Sequence, residues 1–544
     1  MPDAMPGTTS SPRRGRVPGP LLGFAALTAA VMAIIASLLL ATGAPEPRLD
    51  PAHRGGGGAA ARSGVSGGTR RGGGATAASP VDGQVTLARG RVSTRVPGSF
   101  LGVSTEYWTV PIWAGHMRLL RRVLALLSAD GPVRLRIGGD SADRVIWAPR
   151  RELPEWVFEL TPSWLAQTSR IVRTAHVKLI LDLNLVTATP AAAARWARSA
   201  VNRLPTGSIT AFEVGNEPDI YSRRAWLRIT AGPGVPALPQ RITAASYARS
   251  FLLYSRALSA AAPGVPLLAP ALAEPQRNFG WVTTLLRAPH PDLAGITAHR
   301  YPYSACARPG SPTFPTIARI LSEQATVSMG RTALTVERIS DRARLPLWLT
   351  EINSVTCGGT RGVSDTFATA LWAPDALMEL VRAGVEAASV HVRADAINMA
   401  FSLTDRGLVA HPLFYGMLLF ERALGPGAIM VPVHLSAPAS RHLKAWAIRI
   451  DGGVMHVLLL DKGDRPARVR LRLALAGSAS VQRLLAPTIS STAQVSLAGQ
   501  HLTPAGTWAG RQRVQTVSPA SGGYVIALPR YSAALVTARL RPGS

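Results

Sequence analysis

The chain has 544 residues, of which 47% are hydrophobic and 17% charged. That composition excludes a disordered polymer, and the length exceeds one small domain. The formal net charge is +28, but only Lys178, Lys444 and Lys462 are lysines, and the arginines are scattered without a dense basic run or interleaved aromatics; this is the pattern of composition bias, and it argues against nucleic acid as a partner while leaving an acidic substrate open.

Residues 1–20 form a basic tail with Arg13, Arg14 and Arg16. Leu21–Ala44 carries no charge, and it reaches the roughly 20 residues that cross a bilayer. Arginines ahead of the span put the N-terminus in the cytoplasm and the rest outside. The expectation is a single-pass membrane protein with an extracellular body. A cleaved signal peptide is the competing reading and would make the body secreted. Pro45 directly follows the candidate cleavage site Thr42-Gly43-Ala44, which favours an uncleaved signal anchor. Residues 45–80 hold Gly55–Gly58 and Gly72–Gly74 with few large apolar side chains, the composition of a disordered linker.

Residues 81–99 suggest two edge strands, Gln84–Leu87 and Arg91–Val96, that join a later β-rich region. From Phe100 strands and helices alternate. The strands are Phe100–Ser104, Val133–Ile137, Val177–Asn184, Ile209–Val214, Val265–Ala271, Gly295–His299, Leu347–Thr350 and Ala387–Val392. Helical spacing marks Met117–Leu127, Pro162–His176, Ala191–Asn202, Ala244–Ala262, Phe279–Leu286, Pro315–Met329 and Asp365–Ala383 between them. Eight such units predict an α/β fold, a (β/α)8 TIM barrel over residues 100–412. No Gly-rich phosphate turn follows the first strand, which argues against a doubly wound sheet. Residues 413–544 lose helical periodicity and break into short strands between turn residues, predicting a C-terminal antiparallel β-sandwich.

Two stretches carry the chemistry. Ala211–Asp219, AFEVGNEPD, is an apolar strand that ends on Glu217, with Gly215 releasing the chain from the sheet. Leu347–Glu351, LWLTE, is a second apolar strand ending on a carboxylate. A parallel barrel gathers the C-terminal ends of its strands on one face, so two distant glutamates can meet there. Paired carboxylates on such a face are what glycosidic bond cleavage needs. Taken alone, Glu217 reads equally well as a solvated loop residue, and the second strand-end glutamate shifts that balance. The histidines are dispersed, and no Cys-x-x-Cys or His-x-x-x-His spacing recurs, so the sequence predicts neither metal nor cofactor.

Together GNEPD, LRIGGDSAD (Leu135–Asp143), HRYPYSAC (His299–Cys306) and TEINSVTCGG (Thr350–Gly359) resemble glycoside hydrolase family 79, the β-glucuronidase and heparanase-like family of the clan A retaining glycosidases. VSDTFATALWAPDAL (Val363–Leu377) and HPLFYGMLLF (His411–Phe420) add to the resemblance, which spans about residues 95–425 closely. It implies a carbohydrate partner, a uronic-acid-containing glycoside, with Glu217 as acid/base and Glu351 as nucleophile. It also suggests substrate contacts for Asn216, Tyr301, Tyr303, His299, Asp140, Glu106 and Asn184. Each has a plainer reading: a turn amide for Asn216, packing for the tyrosines, a core histidine for His299, and pairing with arginines for Asp140 and Glu106. Asn184 shares that ambiguity, and Arg136 reads as a structural ion pair. Cys306 and Cys357 follow neighbouring strands on one face of an exported protein, where a disulfide competes with two unrelated thiols. The expected activity is an exo-acting β-glucuronidase. Alternatives are an endo-acting glucuronidase, another β-glycosidase, a surface carbohydrate-binding protein and a membrane-anchored scaffold.

Overall fold

The computed structural model describes residues 80–541 apart from 89, 91, 129–130, 148–156, 224–241 and 521. The tail, the apolar span Leu21–Ala44 and the linker up to residue 79 lie outside the described residues. Among the described residues no helix is long and apolar enough to cross a membrane.

Eight parallel strands close into a barrel. In chain order they are β1 (Leu101–Glu106), β2 (Arg134–Gly138), β3 (Lys178–Leu183), β4 (Ile209–Val214), β5 (Leu267–Leu272), β6 (Leu293–Arg300), β7 (Leu347–Ile352) and β8 (Ala387–His391). Each pairs with its sequence neighbour, and β8 returns to β1 through Ala388–His391 against Leu101–Ser104. Several of the intervening helices start on signals visible in the sequence. Thr161 and Thr189 accept hydrogen bonds from the N–H groups of Trp164 and Ala192, and a proline follows each at the first helical position. Thr243 forms a reciprocal capping box with Ser246.

Strand periodicity explains the barrel interior. Side chains two apart share a face, so Ile180, Ala211 and Trp348 lie below Asp182, Glu213 and Thr350. Ile180, Ala211 and Leu268 form a small apolar cluster against Trp348, and the Arg134 guanidinium stacks 4.9 Å from the Trp348 ring centroid. Above this layer the interior turns polar, with Ser104, Arg136, Asp182, Glu213 and Thr297 all fully buried. Leu135, Ile137, Leu179 and Leu181, one position out of phase, belong to the main core instead.

Three expectations need correction. Gly83–Leu87 is not an edge strand: it lies between Val433–Ser436, antiparallel, and Ala467–Arg472, parallel. Residues 413–544 do not begin as strand, because Pro412–Ala423 is a helix. Its sequence PLFYGMLLFERA is buried almost all round, so it has no polar face to generate a helical period. The segment expected as one helix over Pro315–Met329 is two, Ile317–Leu321 and Gln324–Asp341.

Beyond residue 429 two sheets face each other over a shared core. Val85, Val469, Leu471, Ile526 and Leu528 from the smaller sheet meet Val457, Leu459, Val481, Ala534 and Val536 from the larger. Two of the three lysines tie these sheets to the barrel. Lys462 Nζ lies 2.6 Å from Asp375 Oδ2, and Lys444 Nζ lies 3.3 Å from Glu379 Oε1. Both acids sit on the buried helix Phe367–Arg382. Trp446 Nε1 and Thr326 Oγ1 also donate to Asp375, at 2.9 and 2.7 Å. A buried aspartate with three donors is satisfied in one arrangement only, which fixes how the sheets seat on the barrel.

Candidate active site

At the C-terminal ends of the barrel strands lies a cavity of ≈ 230 Å³. Glu106, Asp140, Glu217, Tyr301, Glu351 and His391 line it, together with the Cys357-Gly358 turn, Arg393 and Asn398.

Glu217 follows β4. Gly215 turns there with φ +84°, and a Cβ at that position would fall 2.7 Å from Leu185 Cδ2, so only glycine fits. Pro218 biases the preceding residue toward extended backbone, yet Glu217 adopts the left-handed conformation, φ 56°. Tertiary contacts hold it there: its N–H donates to the Ala271 carbonyl at 3.0 Å, and its carbonyl accepts from Ile220 N–H at 3.1 Å. Asp219 pins the same loop to the one after β5, accepting from Ala273 N–H, Glu274 N–H and Asn278 Nδ2. A strained residue held on all sides is common where a side chain must be aimed.

Glu351 ends β7. A register shift between Ala298 and His299 sets His299 opposite Glu351 across the β6–β7 pair, as irregular pairing near active sites often does. One carboxylate oxygen of Glu217, one of Glu351 and a ring nitrogen of His299 all lie within 4.8 Å of one another. His299 Nδ1 is 3.0 Å from Glu217 Oε1. Tyr301 donates to Glu351 Oε1 at 2.7 Å, and Arg136 Nη1 donates to Glu351 Oε2 at 2.8 Å. The sequence reading expected no metal cluster, whereas the fold does gather these three donors. Both Glu351 oxygens nonetheless already accept from protein groups, one of them a guanidinium. The trio is therefore better described as a hydrogen-bonded acid pair than as a cation cage.

Arg136 is the hub. All five of its N–H groups have acceptors: Nε on Glu213 Oε2 at 2.6 Å, Nη1 on Glu351 and Ser104, Nη2 on Asp182 Oδ2 and Asn216 Oδ1. Thr350 completes Glu213 from the other side at 2.7 Å. The ion-pair reading of Arg136 describes its contacts with Asp182 and Glu213 but omits its contact with Glu351.

The two glutamates are driven apart electrostatically. Burial, then the charges of Glu351 and Asp219, push Glu217 well above the ordinary carboxylate range. Burial also acts to raise Glu351, but the combined pull of His391, His299, Arg136 and the Tyr301 hydroxyl holds it well below that range. Burial, then the charge of Glu351, raises the Tyr301 phenol, so it donates as a neutral hydroxyl.

The remaining candidates divide. Glu106 lines the cavity and accepts from the N–H groups of Asp140 and Ser141 at 3.2 and 2.8 Å. Gly139 makes this possible: with φ +71°, a Cβ there would sit 2.4 Å from Glu106 Oε1. Asp140 lines the same wall. Asn216 is buried, its carbonyl oxygen held by Arg136. Two assignments to substrate need correction. Tyr303 donates to the Arg319 carbonyl at 2.9 Å, away from the cavity. Asn184 folds over its own loop, donating to Val145 O and Thr187 Oγ1 and accepting from Val186 and Thr187 N–H. Cys306 and Cys357 are disulfide-bonded, joining the loops after β6 and β7. Such a cross-link contributes about 2–4 kcal/mol to stability.

Sequence reasoning missed His391 and Arg393. His391 Nδ1 lies 3.4 Å from Glu351 Oε2 and its Nε2 3.7 Å from Glu106 Oε1, between the two acids. Its place at the end of the eighth strand is the same signal that singled out Glu217 and Glu351.

No family model matches the sequence, and no curated protein does. Solved structures do match in fold. A 4-O-α-L-rhamnosyl-β-D-glucuronidase from Fusarium oxysporum 12S, solved with Rha-GlcA, aligns with a TM-score of 0.68 at 18% identity, covering 84% of this chain and 100% of its own. A GH51 arabinofuranosidase from Xanthomonas axonopodis pv. citri aligns with 0.62 at 16% identity, covering 85% and 100%. A GH family 44 endoglucanase from Clostridium thermocellum aligns with 0.55 at 12% identity, again covering 85% and 100%. The chain thus shares the barrel fold of these glycoside hydrolases.

Proposed function

We propose that this protein is a retaining glycoside hydrolase of the family 79 type that removes terminal β-linked glucuronate. The observation that carries the reading is the approach of the Glu217 and Glu351 carboxylates to within 4.8 Å, with proton affinities displaced in opposite directions. Retaining enzymes hold the pair about 5–5.5 Å apart, whereas inverting enzymes leave about 6.5–9.5 Å for a water molecule.

In this reading Glu351, ionised, attacks the anomeric carbon. Glu217, protonated, gives its proton to the departing glycosidic oxygen as that bond breaks. The ester that forms on Glu351 cancels its negative charge, so Glu217 loses the neighbour that raised it and becomes a base. It then takes a proton from water as the water oxygen attacks the anomeric carbon, which frees the sugar with its original configuration and restores Glu351. Asn216, with its carbonyl on Arg136, turns its amide nitrogen to the sugar 2-hydroxyl. His299 positions Glu217 through the 3.0 Å contact. A cavity of ≈ 230 Å³ is below the ~300–1,000 Å³ usual for ligand pockets and suits one sugar ring better than a polymer, which supports exo action.

A panel of aryl β-glycosides tests the substrate: glucuronide, glucoside, xyloside and galactoside, with an α-L-arabinofuranoside added because an arabinofuranosidase shares the fold. Preference for the glucuronide is expected. A glucoside or arabinofuranoside preference would overturn the uronide assignment, and no turnover on any of them would leave a carbohydrate-binding protein. Tyr301→Phe probes the nucleophile. Losing a hydrogen bond to a charged group lowers kcat/KM about 10–100-fold. Because that bond favours ionised Glu351, its loss raises the lower pKa of the pair, and the acid limb of the kcat/KM profile moves to higher pH. An unmoved acid limb would remove Tyr301 from this role.

The location is also a proposal, motivated by the uncharged span Leu21–Ala44 behind three arginines: the catalytic body is displayed outside the membrane on an uncleaved anchor. Recovery of mature protein starting after Ala44 would replace the anchor with a leader.

A further inference from the structure

The cavity lining is mostly acidic. Glu106 and Asp140 stand at the ends of β1 and β2, while Cys357, Gly358 and Arg393 stand on the loops after β7 and β8. Among the described residues lining the cavity, Arg393 carries the one permanent positive charge.

Arg393 is held in place from two directions. Its Nε donates to Asp395 Oδ1 at 2.7 Å, which sets the guanidinium plane and leaves Nη1 and Nη2 as an end-on fork, the geometry that grips a carboxylate with two parallel bonds. Its loop is pinned to the loop after β7. Ile397 N–H donates to the Gly358 carbonyl at 2.7 Å, Asn398 Nδ2 to Val355 O at 2.5 Å, and Asn353 Nδ2 to Asn398 O at 3.0 Å. Gly358 lies directly against the fork, since a Cβ built on it would come 3.1 Å from Arg393 Nη2. A side chain there would crowd that nitrogen.

We propose that Arg393 is the specificity-determining residue of this site, binding the carboxylate of a uronosyl substrate. The assignment rests on the uronide reading above. An anionic substituent is attracted to the Arg393 fork and repelled by the carboxylates elsewhere in the lining. A neutral glycoside leaves the fork without its acceptor.

The test compares wild type, Arg393→Gln and Arg393→Lys on 4-nitrophenyl β-D-glucuronide and β-D-glucoside, with thermal denaturation of each protein. In Arg393→Gln the glucuronide-to-glucoside ratio of kcat/KM falls about 30–100-fold, the worth of a charge-assisted pair, mainly through KM. Arg393→Lys regains part of it by supplying charge without the fork. A ratio that stays within threefold overturns the assignment, as does a parallel loss on both substrates with a lowered melting temperature. If wild type prefers the glucoside or cleaves neither, the uronide activity fails by itself. Calorimetric titration with D-glucuronate then decides Arg393 separately: binding in wild type that weakens at least tenfold in Arg393→Gln supports it, and absent or equal binding sinks it.

Discussion

Glu351→Gln is expected to lose at least about 10⁴-fold in kcat, the scale on which removing a covalent nucleophile acts. The amide keeps the size of the carboxylate, but its single oxygen can accept from only one of Tyr301 and Arg136, which donate to separate oxygens of Glu351 at 2.7 and 2.8 Å. What it lacks is a negative charge able to form the ester. The assignment of the two acids can be checked by product stereochemistry. In Glu351→Gly a small anion such as azide has room to attack the anomeric carbon from the vacated side, giving a product of inverted configuration. In Glu217→Ala the glycosyl-enzyme still forms from an activated aryl substrate, and azide traps it with retained configuration. Exchange of these two outcomes would reverse the roles. A Glu351→Gln enzyme with more than a tenth of wild-type activity would end the double-displacement proposal.

The second large effect is on stability. Arg136→Met should cost about 3–5 kcal/mol at neutral pH, as removing one member of a buried charge cluster does. Arg136, Asp182 and Glu213 are completely buried, and Glu351 nearly so. Without the guanidinium, Asp182 and Glu213 lose the cation bonded to them, and Glu351 keeps only its histidine neighbours. Burial already pushes Asp182 well above its ordinary range despite Arg136. The variant's deficit should therefore shrink as pH falls, because protonation removes the charges the guanidinium had balanced. Urea denaturation of both proteins at two pH values measures this. A deficit under 1 kcal/mol, or one that grows on acidification, would show that Arg136 is not the electrostatic centre. Activity should fall as well, since the same side chain holds Glu351 and Asn216.

Much of the architecture is written locally. Eight short apolar runs, the first seven each followed by a helical pattern, specify a parallel barrel, because strand and helix periods are properties of neighbouring residues. Thr-Pro pairs at Thr161 and Thr189 mark helix starts for the same reason. The buried helix Pro412–Ala423 escaped because an element covered on every side has no contrasting face to reveal its period. Likewise Gly83–Leu87 looked peripheral from its position ahead of the barrel, and only its partners Val433–Ser436 and Ala467–Arg472, hundreds of residues downstream, make it central in its sheet.

For the site, the sequence by itself determined which carboxylates stand at strand ends, because a strand's length and its closing residue are local facts. It could not determine which side chains share the cavity. Tyr301 and Tyr303 are two positions apart, yet one phenol reaches Glu351 and the other caps a carbonyl near Arg319. Asn184 ends its strand as Glu217 does, but its amide closes a turn instead. The choice depends on register shifts, loop closures and the partners each polar group finds across the ring. Arg136 shows the reason most clearly: its five acceptors come from four separate stretches of chain, at Ser104, Asp182, Glu213 with Asn216, and Glu351, so its contacts exist only once the barrel has closed.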